Sequence, residues 1–172
     1  MKKTFFFFLL ITIAMFAFNT TARAASQSAT VVSQAQVPVV LELSISPTGQ
    51  SQLRFSNVQP SLISETQAGP MSIYVDVRAN VRYQVSEDLS GPLTNSAGDE
   101  IPIDHLSFIT SAAHSTGTPV PTTAASASSQ VIFTSDALGT SDTIRADYTL
   151  RVPSSQAAGD YSTRIIYTIS SI

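Results

Sequence analysis

His105 and His114 are the only imidazoles in the chain, and it has no cysteine. Histidine is the side chain whose ordinary pKa suits acid–base catalysis near neutral pH, and cysteine supplies thiolate nucleophiles. His105 follows Asp104 in a serine-rich sequence, so the residue types of a hydrolytic triad are present. A triad is defined by geometry rather than composition, and no Gly-x-Ser-x-Gly elbow presents a nucleophile. Both histidines are therefore read as satisfied or exposed side chains. Zinc centres need Cys or His at short, paired spacings, which two isolated histidines do not supply. The acidic pairs Glu87-Asp88 and Asp99-Glu100 could offer oxygens to Ca²⁺, but the D-x-D-x-D-G spacing of a dedicated loop is missing. They are read as solvated turn residues. The seven glycines occur singly, so there is neither a dinucleotide fingerprint nor a phosphate loop. The sequence thus predicts a non-enzyme with no catalytic residue, metal site, cofactor or nucleotide.

The remaining candidates are aromatic. A tyrosine offers an apolar ring face and a hydroxyl, which suits contact with a sugar. Tyr83 and Tyr167, with Val85 and Ile169 beside them, are the candidate ligand-binding residues. Tyr83 alternates in phase with Val81 and Val85, and Tyr167 with Ile165 and Ile169. That phase also fits core packing, and favours it.

The elements that position these residues are strands. Helical periodicity is hard to find after the first two dozen residues, whereas period-two alternation rich in Val, Ile, Tyr and Thr recurs. Val37, Val39, Leu41, Leu43 and Ile45 share one face before Pro47-Thr48-Gly49 breaks the run, and Pro38 places its beginning on an edge. Leu53-Arg54-Phe55, Ser72–Arg78, Asn80–Glu87, Leu106–Phe108 and Gln130–Thr134 follow, with a bulge or bend expected at Ala79-Asn80 and turn chemistry at Leu89–Pro92 and Asn95–Asp99. From Thr110 to Ser129 the apolar periodicity fades into Ser, Thr, Ala and Pro, predicting a long exposed loop. Ile144, Ala146, Tyr148, Leu150 and Val152 then form one stripe and Tyr161, Thr163, Ile165, Tyr167 and Ile169 another, read as a terminal hairpin. About eight short strands predict an all-β fold, an antiparallel immunoglobulin-like β-sandwich, with a small barrel as the alternative.

Met1-Lys2-Lys3, the apolar run Phe5–Phe18 and the small residues up to Ala24 form a secretory signal peptide. The apolar run is shorter than the roughly 20 residues that span a bilayer. Residues 1–24 are read as the signal, 25–36 as an extended arm and 37–172 as the β-sandwich domain. Cleavage after Ala24 removes Lys2, Lys3 and Arg23, leaving six basic against twelve acidic residues. Such a surface repels phosphate backbones, so nucleic acid and anionic lipid are not expected partners. With no cysteine, stability rests on packing although export would permit disulfides. The closing residues Tyr167–Ile172 carry neither an apolar tail nor an LPxTG-like signal, so any attachment to the cell is expected to be non-covalent or through a partner.

Between Val37 and Ile169 the chain resembles the WxL cell-surface domains. The likeness lies in Val39–Ile45 followed by Leu53-Arg54-Phe55, in Tyr83-Gln84-Val85 at the first Trp-x-Leu position, in Leu93–Gly98 and Ile103–Phe108, and in the closing Tyr161–Ile169. Tyrosine stands in place of both motif tryptophans. The resemblance implies a bacterial surface location and non-covalent attachment to peptidoglycan. The expected function is a secreted, extracellular or envelope-associated binding or structural protein, with cell-wall glycan or other envelope proteins as partners. The alternative is a fimbrial or surface-layer subunit, in which the alternating Ser28–Val40 segment joins a neighbour's sheet and builds a homo-polymer.

Overall fold

Alternating burial defines this molecule strand by strand. The computed structural model describes residues 35–46, 52–114 and 117–172. The signal segment, nearly all of the arm and the Pro47-Thr48-Gly49 break lie outside the described residues. Val37–Ile172 forms one compact unit, built from β1 (Leu41–Ser46), β2 (Gln52–Val58), β3 (Thr66–Ala79), β4 (Tyr83–Leu89), β5 (Leu93–Thr94), β6 (Glu100–Ile101), β7 (Leu106–Ala112), β8 (Thr118–Pro119), β9 (Thr123–Ala124), β10 (Gln130–Thr134), β11 (Asp142–Val152) and β12 (Gly159–Ser171). Eight of these have five residues or more, and the other four have two.

The architecture is all-β and antiparallel throughout. One sheet runs β1-β3-β11-β7-β9, and the other runs β6-β5-β12-β4-β10-β8 with β2 also paired to β12. On β4 the inward positions are Tyr83, Val85, Glu87 and Leu89; on β11 they include Ile144, Ala146, Tyr148, Leu150 and Val152. These side chains join Ile73, Val75 and Val77 of β3 and Leu106 and Phe108 of β7 in one core shared by both sheets. At roughly 1.5–3 kcal/mol for each large apolar side chain fully buried, that core is what orders the chain.

Among the described residues β1 is the edge of its sheet, paired with β3 alone. Its extended approach, Val37–Val40, lies outside the strand with Val37 77% and Val39 69% exposed. Asn80 pins this approach, its Oδ1 accepting from the Val40 N–H at 2.8 Å and its Nδ2 donating to the Pro38 carbonyl at 2.8 Å. β3 starts earlier than the alternation from Ser72 suggests, because a bulge opposite Tyr148–Leu150 admits Gly69-Pro70 into the strand. Gly69 has φ of 107°, and a Cβ there would lie 2.7 Å from the Tyr148 carbonyl oxygen. Only glycine fits that approach.

Two expectations are corrected. Ile144–Val152 and Tyr161–Ile169 are not a hairpin: β11 pairs β3 and β7, whereas β12 pairs β2, β4 and β5. Pro153–Ala158 carries the chain from one sheet to the other, so the two apolar stripes oppose each other across the core. Identical alternation serves pairing within a sheet and packing between sheets, which is why periodicity could not separate them. Thr110–Ser129 is mostly exposed, as expected, but it is not all loop, since it holds the end of β7 together with β8 and β9. Thr110 belongs to β7 and is buried; its hydroxyl accepts from the Val120 N–H at 2.7 Å and donates to the Ile132 carbonyl at 2.8 Å. Ala125 is buried and bonded to Leu106. Ser115 and Thr116 lie outside the described residues.

Candidate functional site

The residues singled out by chemistry are dispersed. His105 closes a short 3₁₀ turn, Ile103–His105, with Nδ1 3.2 Å from the Arg151 carbonyl and no serine hydroxyl bonded to it. His114 lies 3.7 Å from Asp142, whose carboxylate also accepts the backbone N–H groups of Ala113, His114 and Thr143. Asp142 therefore serves the start of β11 as a local backbone cap. Among the described residues, no group of three or more His, Cys, Asp or Glu side chains is arranged to hold a metal ion. No described helix is long and apolar enough to cross a membrane.

The four ligand-binding candidates sit in or against the core. Tyr83 and Val85 are fully buried, Tyr167 is 9% exposed, and Ile169 is partly buried against the same cluster. The Tyr83 hydroxyl donates to the Thr140 carbonyl at 3.1 Å, and its ring centroid stands 6.1 Å from that of Phe133. Burial, then the Asp142 and Asp136 charges, pushes that phenol up to about 12. Of the eight aromatic side chains among the described residues only Tyr74 is exposed.

Glu87 is a residue whose role the sequence reading misses. It is not a solvated turn residue: it lies inside β4, 1% exposed, opposite Tyr167 of β12. The Tyr148 hydroxyl reaches across from β11 to bond Glu87 Oε2, and the Tyr148 and Tyr167 hydroxyls are 2.8 Å apart. Glu87 Oε1 has no hydrogen-bond partner. Burial pushes the Glu87 carboxyl up to about 7, with the Tyr148 hydrogen bond opposing. Burial also raises both tyrosines, which keeps them protonated donors. The signal was present in the sequence: Glu87 continues the phase of Tyr83, Val85 and Leu89. Its partner Asp88, one residue on, faces the other way.

A second feature is made of backbone. β12 has β5 and β4 along one edge, and β2 along the other only from Gly159 to Arg164. The ladder with β4 is bounded by Ser90 N–H to the Arg164 carbonyl and Ile172 N–H to the Arg82 carbonyl. Antiparallel bonding alternates by residue, so even-numbered residues turn toward β4. Tyr167, Ile169 and Ser171 direct their N–H and C=O groups to the opposite edge, where β1 passes nearby but no described strand is paired in register. β1, continuous in the chain with β2, has left that edge for the other sheet. Its own free edge presents the backbone of Leu41, Leu43 and Ile45 by the same alternation, since Asn80 N–H bonds the Val40 carbonyl.

On the outer face, Gln52, Arg54, Thr94, Asn95, Asp160 and Ser162 line an open polar groove of about 420 Å³. Arg54 pairs with Asp160 at 2.5 Å, while Asn95 organises the adjoining turn through Ala97, Asp99 and the Tyr161 hydroxyl. No family model matches this chain, and no curated protein or solved structure proved similar to it.

Proposed function

We propose that this protein is a non-catalytic structural subunit of an exported surface assembly, joined copy to copy by strand addition. The observation that carries the reading is the edge at Tyr167, Ile169 and Ser171, to which no strand is paired among the described residues. An incoming strand gains main-chain hydrogen bonds from such an edge and specificity from alternate side chains. The donor is the Ser28–Val40 segment of a second copy. Its Val31, Ala35, Val37 and Val39 share one phase, and Val37 and Val39 are unburied in their own chain.

In finer terms the fold reads as an immunoglobulin-like sandwich. Taken in chain order, β1-β3-β11-β7 follows the A-B-E-D sheet of that fold, and β4 with β12 follows C and F. The place of G, beside the terminal half of β12, holds no strand among the described residues. The reading takes the leader-like start of the sequence as an export signal and places the protein at the envelope. A second reading, binding of cell-wall glycan, is favoured by the polar groove around Arg54, Asn95 and Ser162. Among the described residues Tyr74 is the one exposed aromatic side chain, and Tyr83 and Tyr167 are packed inside.

The test compares purified exported protein with a variant lacking residues 25–36, by size-exclusion chromatography with light scattering and by electron microscopy. The full protein should form concentration-dependent oligomers and the variant should remain monomeric. A synthetic Ser28–Val40 peptide should then bind the variant and shift the amide resonances of Tyr167, Ile169 and Ser171. Oligomers unchanged by the deletion, or a full protein that stays monomeric and instead sediments with insoluble peptidoglycan, would overturn the assembly reading.

A further inference from the structure

Glu87, Tyr148 and Tyr167 form a polar cluster between the sheets that hydrophobic packing does not require. Glu87 projects from β4 with one carboxyl oxygen bonded to Tyr148 and the other unpartnered. The groups facing it from the opposing and neighbouring strands carry no positive charge among the described residues. β11 presents Tyr148 and β12 presents Tyr167; β10 places uncharged Gln130 opposite it in register. The inner positions of β3 and β7 near the core centre are Ile73, Val75, Val77, Leu106 and Phe108. The other buried carboxylate, Asp142, stands at the start of β11 and acts on Tyr83 instead. An ionised Glu87 would be an uncompensated charge in apolar surroundings, whereas a protonated one leaves only a neutral oxygen unbonded.

We propose that this cluster is a proton-operated latch between the sheets: with Glu87 protonated it ties β11 to the terminal half of β12, and ionisation of Glu87 loosens that half. The latch goes beyond the assembly reading and stands without it. Its target is set by topology. Among the described residues, Tyr167 lies where β12 is paired with β4 alone, while β3 is paired with both β1 and β11. A charge forced into the cluster therefore acts first on the half-supported strand.

The direction follows from linkage. Burial places the folded carboxyl at about 7, above its ordinary value of 4.5. Between those two values the folded state holds a proton that the unfolded chain has lost, so stability is fully present below about 4.5 and is lost as pH rises through about 7.

The experiment is amide hydrogen exchange on the purified protein at pH 5.5, 7.0 and 8.5, corrected for intrinsic exchange rates, with thermal melts at the same values. Ile166, Thr168 and Ser170, the β12 residues bonded to β4, should lose more than about tenfold in protection across this range, while Ile73–Val77 of β3 keep theirs. Glu87→Gln, which cannot ionise, should abolish the pH dependence. Tyr148→Phe keeps the ring but removes the donor that favours the ionised carboxylate, so it should move the loss to higher pH. Equal loss of protection on β3 and β12, an unchanged pH profile in Glu87→Gln, or a flat wild-type profile would overturn the latch. Should Glu87→Gln fail to fold, an unmoved midpoint in Tyr148→Phe overturns it alone.

Discussion

Thr110 holds the segment 117–125 against the sheet with one hydroxyl. That hydroxyl accepts from Val120 and donates to Ile132, the first bond part-buried and the second buried. Thr110→Val conserves the shape and leaves two backbone groups unpaired, so the expected cost is about 1–3 kcal/mol, read from the urea midpoint. Gly139 is constrained differently. Its φ is +67°, and a Cβ would fall 1.9 Å from the Val81 carbonyl oxygen. Gly139→Ala must bear about 1–3 kcal/mol for that backbone conformation alone and must also displace Val81, so it should lower the thermal midpoint more than Thr110→Val does. Glu87 belongs at this scale too. Its phase with Tyr83 and Val85 made burial legible, but a carboxylate beside Asp88 and near a turn is more often solvated, and only the opposing Tyr148 reveals what the side chain meets.

Among the elements, β12 does the most varied work. Its first half joins β2 to β5, and its second half is paired, among the described residues, with β4 alone. Bonding parity makes this asymmetry testable with proline, which removes one N–H donor. Ser170 turns its N–H to β4 and Ser171 turns its N–H to the open edge. Ser170→Pro should therefore destabilise the fold by at least ~1 kcal/mol, whereas Ser171→Pro should leave the melting curve within ~0.5 kcal/mol of the parent while weakening oligomers on light scattering. Strand identities from alternation were legible for most long elements, because Val, Ile and Tyr at every second position announce a half-buried pleat. The two-residue strands β5, β6, β8 and β9 were not, since two residues carry no period.

At the scale of the whole molecule, the described chain spends nearly all its aromatic side chains on one interior and leaves its distinctive surface in backbone. That division is why the assembly reading rests on an edge. Composition and alternation by themselves determined an all-β, antiparallel, cysteine-free fold and the inward positions of its long strands, because burial of every second side chain is a local property of sequence. Which strands share a sheet, the crossing from β11 to β12, the meeting of Glu87 with Tyr148 and Tyr167, and the half-paired edge of β12 were decided only by the tertiary structure. Each depends on residues far apart in the chain, and a period of two records which way a side chain points without recording what stands opposite it.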